Sequence, residues 1–292
     1  MTTSMPQTQP QAPTGAEAGA PRTPGALPQA RPLQTLQPPR FGSLRTITAL
    51  ILREMESTYG RSPGGYVWAI LQPVGMIVLL SVAFSLLVHK PALGTSFMFF
   101  YATGYLPFDM YASLAGKISS ALLYSRPLLA YPRVTWIDTI IARLVLNTVT
   151  LVTVFAIVIC GIMILTETRG HLDIYPVVEG LGMAILIGLG IGLLNCVLGG
   201  LYPVWNIIWG ILTRPLFLGS GILFILEDMP TGIQNILWWN PLVHVTALVR
   251  EGFYPTYDGH FVSLAYGYGF GLVLTALGLI FLRANYKMVL QQ

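Results

Sequence analysis

The chain has 292 residues, 54% of them hydrophobic and 10% charged, with a net charge of +4. A soluble globular chain carries about 25% charge, so an ordinary water-solvated domain is excluded and long apolar runs in a bilayer are implied. Cys160 and Cys196 sit singly inside apolar runs, and His89, His171, His244 and His260 share no ligand spacing, so neither a disulfide framework nor a metal site is expected.

Residues 1–42 are rich in Pro, Gln, Ala, Thr and Gly and lack an apolar stretch able to offset chain entropy. They read as a disordered cytoplasmic tail, without the apolar core of a signal peptide. The segment 43–62 opens SLRTITALILREMESTY. Leu44, Ile47, Ile51 and Met55 share one helical face, and Arg45, Ala49, Arg53 and Glu56 another. That pattern predicts an amphipathic helix on a membrane surface, broken by Ser62-Pro63-Gly64-Gly65.

Residues 63–292 carry six apolar runs, at 66–88, 97–119, 139–165, 174–198, 204–226 and 262–282. At about 1.5 Å per residue the first reaches roughly 34 Å, enough to cross a hydrocarbon core of about 30 Å. The second is interrupted by Pro107 and Asp109, and the fifth contains Arg214-Pro215. In the fourth, Gly188 and Gly192 form a GxxxG pair, a spacing that lets helix backbones approach closely. Two connections, 120–138 and 227–261, are too polar to span and too apolar for free loops. Both predict short helices at the interfaces; in the second, Asn240-Pro241 separates two of them. Most of the 16 basic residues precede the first run, flank 120–138 or follow the last; Lys90, Arg169 and Arg250 lie in the opposite loops. The positive-inside rule then puts both termini in the cytoplasm.

No phosphate-cradling GxxxxGK[ST] loop, GxSxG elbow or HExxH helix occurs. The chain is expected to catalyse no bond chemistry and to depend on another subunit for power. Leu128, Leu129 and Tyr131 are three large apolar groups in a basic connection. A free loop gains nothing from them, whereas a partner groove would bury them. Arg214 lies midway along the fifth run, where an arginine is costly. It reads either as a structural charge paired with Asp109, at comparable depth in the second run, or as a pathway cation for an acidic polymer. Trp238, Trp239, Tyr254 and Tyr257 form either an aromatic belt or a ledge on which sugar rings stack, closed by an Arg250-Glu251-Gly252 turn.

Four ordered strings carry a resemblance: ALILREMESTYGRSPGGYVWAILQP (49–73), FFYATGYLPFDMY (99–111), LLYSRPLLAYPRV (122–134) and WWNPLVHVTALVREGFYP (238–255). From about residue 43 to its end, the chain resembles type-2 ABC exporter permeases for polysaccharides, nearest to the capsular branch. O-antigen and teichoic acid permeases are the adjacent alternatives. The resemblance implies an all-α integral membrane fold of six transmembrane helices with an N-terminal interface helix. It implies a homodimer in the bacterial inner membrane, with two cytoplasmic ABC ATPase subunits that hold the ATP and Mg. It further implies a periplasmic polysaccharide co-polymerase, an outer-membrane export protein, a lipid-linked acidic capsular polysaccharide as substrate, and no nucleic acid. ATPase coupling falls to Glu54, Glu56, Arg61, Arg126, Leu128, Leu129, Tyr131 and Arg133. The substrate pathway or gate falls to Asp109, Arg214, Trp238, Trp239, Arg250 and Tyr254. Rival readings are an exporter of small lipophilic compounds, a membrane-embedded glycosyltransferase and a non-transporting scaffold.

Overall fold

A computed structural model of the chain describes residues 42–59, 64–131, 134–166 and 172–291. The expected tail 1–42 (apart from Gly42), Arg61 and Arg133 lie outside the described residues. Among those described, every regular element is helical. In chain order these are α1 (Gly42–Tyr59), α2 (Gly65–Ser85), α3 (Phe97–Ser119), α4 (Ala121–Tyr124), α5 (Arg126–Leu129), α6 (Trp136–Leu165), α7 (Ile174–Leu201) and α8 (Val204–Leu218). A 3-10 turn (Leu226–Asp228), α9 (Thr231–Leu237), α10 (Pro241–Phe253) and α11 (Leu264–Gln291) follow.

Among the described residues, four helices are long and apolar enough to cross a bilayer: Val67–Ser85 within α2, then α6, α7 and α11. The other two expected crossings rest on α3 and α8. α3 has 23 residues and continues unbroken through Pro107; the expected interruption is absent because neighbouring helices can re-satisfy backbone that a proline frees. α8 has only 15 residues, about 22 Å of helix, and stops at Leu218 rather than 226. The chain there passes Gly219 and then Gly221, whose φ of 75° is a left-handed conformation that costs glycine little. α6 begins earlier than expected, at Trp136, because Thr135 and Asp138 form a capping box that satisfies two amide donors. α11 runs to Gln291, beyond the expected 282, and takes Arg283 and Lys287 into the helix.

α7 is the hub. It is apolar on every face and more than half of its residues are buried, as expected of a helix enclosed by others. Its largest contacts are with α11, α3 and α10. A Cβ added at Gly192 would stand 2.7 Å from Ile118 Cβ of α3, and one at Gly190 would stand 2.9 Å from the Thr275 amide of α11. The GxxxG pair therefore serves the α3 contact, with Gly190 providing a second close approach between its two members. α3 is the most aromatic neighbour. Phe99 meets Phe253 of α10 at 5.7 Å, and Phe108 meets Phe217 of α8 at 5.3 Å.

α1 packs against α6. Its buried positions are Leu50 and Glu54, with Ile47 and Ile51 half-buried, while Leu44, Leu52 and Met55 are exposed. The protein-facing stripe is thus rotated from the expected Leu44–Ile47–Ile51–Met55 face. The exposed leucines and methionine stay free for lipid or a partner.

Candidate functional site

The base of α6 gathers three elements. Arg143 Nε lies 3.1 Å from Glu54 Oε1 of α1, an ion pair without hydrogen-bond alignment, and both side chains are under 10% exposed. Arg143 Nη1 donates to the Lys117 carbonyl (2.6 Å) at the end of α3 and to Ser120 Oγ (2.9 Å). Its guanidinium stacks over the Tyr124 ring of α4 at 4.2 Å. Tyr124 also hydrogen-bonds Ser57 of α1. A second tie joins Ser43 Oγ to Asp138 Oδ1 at 2.6 Å, using the carboxylate that caps α6. Glu54, expected to face a partner, instead points into the chain, where its pairing keeps Arg143 from being a buried unpaired charge. Glu56 remains exposed. The sequence signal for Arg143 is an arginine four positions before Asn147 inside an apolar run.

Beyond that base, α4 and α5 form the connection to α6. Arg126 is exposed and Leu128 half-buried. Leu129 packs beside Trp136, Tyr286 and Leu290 around a cavity of about 340 Å³ that Tyr131 also lines. Tyr131 is 65% exposed. Of the three apolar groups, Leu129 already has a partial home within the chain, and Tyr131 is the one left outward.

The segment from the end of α8 through α10 is held from within. Arg250, 2% exposed, donates from Nη1 to the Gly221 (2.6 Å) and Phe224 (2.9 Å) carbonyls and from Nη2 to Ile222 (2.9 Å). It also lies 4.2 Å from the Phe100 ring centroid. Arg250, Glu251 and Gly252 belong to the last turn of α10, not to the expected turn. The arginine thus satisfies the carbonyls of the sharp 219–225 connection that follows α8. Tyr254 is buried beside Phe99 at 5.4 Å. Trp238 is half-buried, stacked on Tyr266 at 5.0 Å, and donates Nε1–H to the Phe261 carbonyl at 3.0 Å. Trp239 is 68% exposed. Of Trp238, Trp239, Arg250 and Tyr254, only Trp239 presents a largely exposed aromatic face. His244, enclosed by Trp238, Phe261 and Tyr266, donates from Nε2 to the Trp238 carbonyl (2.9 Å) and accepts the Ser263 amide at Nδ1 (3.3 Å). That pairing requires the neutral tautomer protonated at Nε2.

The expected Asp109–Arg214 ion pair is not formed within the chain. Asp109 Oδ1 instead accepts from Tyr105 Oη and Ser113 Oγ on its own helix, both at 3.4 Å. Arg214 is exposed on α8, a helix with no buried residue, and makes no ion pair among the described residues. Asp109 lines a cleft of about 320 Å³ between α2, α3 and α6, together with Ser113, Lys117, Gln72, Asn147 and Trp68. Of these, only Asp109 stands among the site residues that the sequence points to.

The sequence pattern of the ABC-2 type transporter family matches residues 45–254, from α1 to the end of α10. The chain belongs to the ABC-2 type transporter family. As an ABC-2 type transporter, it is 34% identical over 245 residues to the polysialic acid transport protein KpsM of Escherichia coli, covering 84% of this chain and 95% of that protein. It is 25% identical over 241 residues to the capsule polysaccharide export inner-membrane protein BexB of Haemophilus influenzae, covering 82% and 90%. It is 26% identical over 211 residues to the corresponding protein CtrC of Neisseria meningitidis serogroup B, covering 72% and 79%. The matched region takes in most of α1, the α4–α5 connection and the α9–α10 hairpin.

Proposed function

We infer that this chain is the membrane-spanning subunit of an ATP-driven exporter of capsular polysaccharide in the bacterial inner membrane. The observation that carries the reading is similarity spanning nearly the whole length of capsule-export inner-membrane proteins, joined to a sequence without a nucleotide-cradling loop. ATP and Mg then belong to two separate cytoplasmic ATPase subunits, and both chain termini lie in the cytoplasm with them. A second copy completes the conduit. The exposed apolar faces of α2 and α8, with Val67, Leu71, Val204, Ile207 and Ile211 outward, are surfaces that a dimer would cover, and Arg214 stands among them as a cation for an acidic polymer. A periplasmic co-polymerase and an outer-membrane export protein would carry the polymer onward.

Closure of the ATPases would press on α1 and on the α4–α5 connection, where Glu56, Arg126 and Tyr131 are outward. The Glu54–Arg143 pair would pass that displacement to α6, and the Lys117 and Ser120 bonds would pass it to α3. Export of small lipophilic compounds is the second reading, favoured only by the apolar cavity of about 350 Å³ between α7, α8, α10 and α11. The experiment is deletion of this chain in its own host, with immunolocalisation of capsular polymer. Polymer is expected to accumulate inside the cell while synthesis continues. Undiminished polymer at the cell surface would refute the reading.

A further inference from the structure

α8 is tied to α7 and α3 near its two ends. At one end Trp205 donates Nε1–H to Asn195 Oδ1 of α7 at 2.9 Å. At the other the Phe217 ring meets Phe108 at 5.3 Å and Tyr105 at 6.5 Å, both on α3. Between these ties two apolar stripes face one another, Trp205, Trp209 and Leu216 on α8 and Ile191, Leu194 and Leu198 on α7. Each stripe keeps to one face of its helix. All six residues are only half-buried, because a cavity of about 350 Å³ lies between the stripes, with α10 and α11 at its sides. The gap forfeits the dispersion contacts that facing stripes make when packed.

None of the residues that line this cavity is charged. Two of its buried polar groups can donate and have no acceptor. Trp205 takes the Asn195 oxygen, so Asn195, 6% exposed, keeps its amino group without a partner among the described residues. Tyr111 of α3, 1% exposed, lines the same cavity, and its Oη makes no hydrogen bond among the described residues. Neither atom is sealed by packing. A buried donor without an acceptor is costly, and a space walled mostly by hydrocarbon holds water poorly but takes apolar molecules.

We propose that this cavity binds an uncharged lipophile carrying a carbonyl oxygen, anchored by the Tyr111 hydroxyl, and that the bound molecule fixes α8 against α7. The walls select that class. A charged ligand would leave water with no counter-charge to meet it. A plain hydrocarbon or an acyl chain would fill the space but leave both donors unmet. Indole and leucine faces suit an aromatic body. About 350 Å³ falls within the range of small-ligand sites. A ligand that touches both stripes favours the one position of α8 in which it is held. α8 carries Arg214 and the exposed Val204, Ile207 and Ile211, so fixing it restrains the wall of the conduit. That consequence rests on the export reading; the site does not.

The test uses the full-length protein in phosphatidylcholine nanodiscs and three probes of one shape: benzophenone, diphenylmethane, which lacks the carbonyl, and 4-benzoylbenzoate, which adds a charge. Benzophenone is its own photolabel. It should mark α7 or α8 saturably and slow hydrogen exchange of the α8 amides. Diphenylmethane should compete about threefold to tenfold more weakly, the loss of one hydrogen bond, and the carboxylate should not compete. Tyr111→Phe should bring ketone and hydrocarbon to equal strength. Leu194→Trp fills the cavity and should abolish saturable labelling with the melting temperature held; Leu198→Phe serves if the larger change misfolds. Labelling that never saturates, or that persists in both filled variants, would overturn the site. Equal competition by ketone and hydrocarbon in the wild type would overturn the carbonyl anchor. Unchanged α8 exchange at saturation would overturn the fixing of α8. In cells the filled variant should display less capsule. Normal display with slowed α8 exchange sinks the effect on the conduit alone, while normal display after deletion of the whole chain sinks the export reading alone.

Discussion

At Glu54 two demands on an interface helix meet. Its charge suits a membrane surface, but its position on the α6-facing stripe buries it, and Arg143 makes that burial tolerable. Removing one member of such a pair leaves the other charged and dry, which costs about 3–5 kcal/mol. Glu54→Ala is therefore expected to lower the melting temperature of the purified protein markedly. Glu54→Leu with Arg143→Met should recover part of that loss, and only part, because Arg143 also serves the Lys117 carbonyl, Ser120 and the Tyr124 ring. A double variant no more stable than the single would refute the account. Arg250 teaches the same lesson at the other end. Both arginines were visible as charges in the sequence, but whether each faced a ligand or backbone carbonyls depended on segments far away along the chain.

The α9–α10 hairpin shows what local signals can decide. Asn240-Pro241 splits it because Asn240 Oδ1 accepts the Leu242 amide at 3.1 Å and Pro241 occupies the first helical position, where its missing N–H is harmless. The role of His244 inside the hairpin was not legible, since its partners Trp238 and Ser263 come from either side of α10. Burial holds the His244 imidazole below its ordinary value, against a smaller opposing effect of the Trp238 carbonyl. The folded state therefore resists protonation more than the unfolded chain does. His244 contributes stability that is full above about pH 6.5, the unfolded value, and fades as pH falls through its lower folded value. Melting curves from pH 8 to pH 5 should show a fall that His244→Gln flattens, even though that variant starts lower. Parallel slopes for the two proteins would rule this out.

On the scale of the whole molecule, the helical hub around α7 leaves Arg126 and Tyr131 beside the α4–α5 connection and the Leu44–Leu52–Met55 face of α1 exposed. Tyr131, 65% exposed, and Leu129, partly packed on Trp136 and Tyr286, separate docking from folding. Tyr131→Ala should keep the protein's melting temperature and reduce recovery of the partner ATPase about tenfold, the scale of one interface anchor. Leu129→Asp should lower stability as well. Full ATPase recovery and export with Tyr131→Ala would exclude this docking surface.

Sequence alone determined that the chain is helical and membrane-embedded, where α9 and α10 part, and which family it joins. Those features are carried by apolar runs, by proline and glycine breaks and by contiguous strings, all of them local. Tertiary structure decided the shortness of α8, the face α1 buries, the partners of Glu54 and Arg250, and the assembly of a polar cleft from three separate helices. Each of these depends on which remote side chain arrives to satisfy a charge or fill a space, and a linear spacing does not encode that arrival.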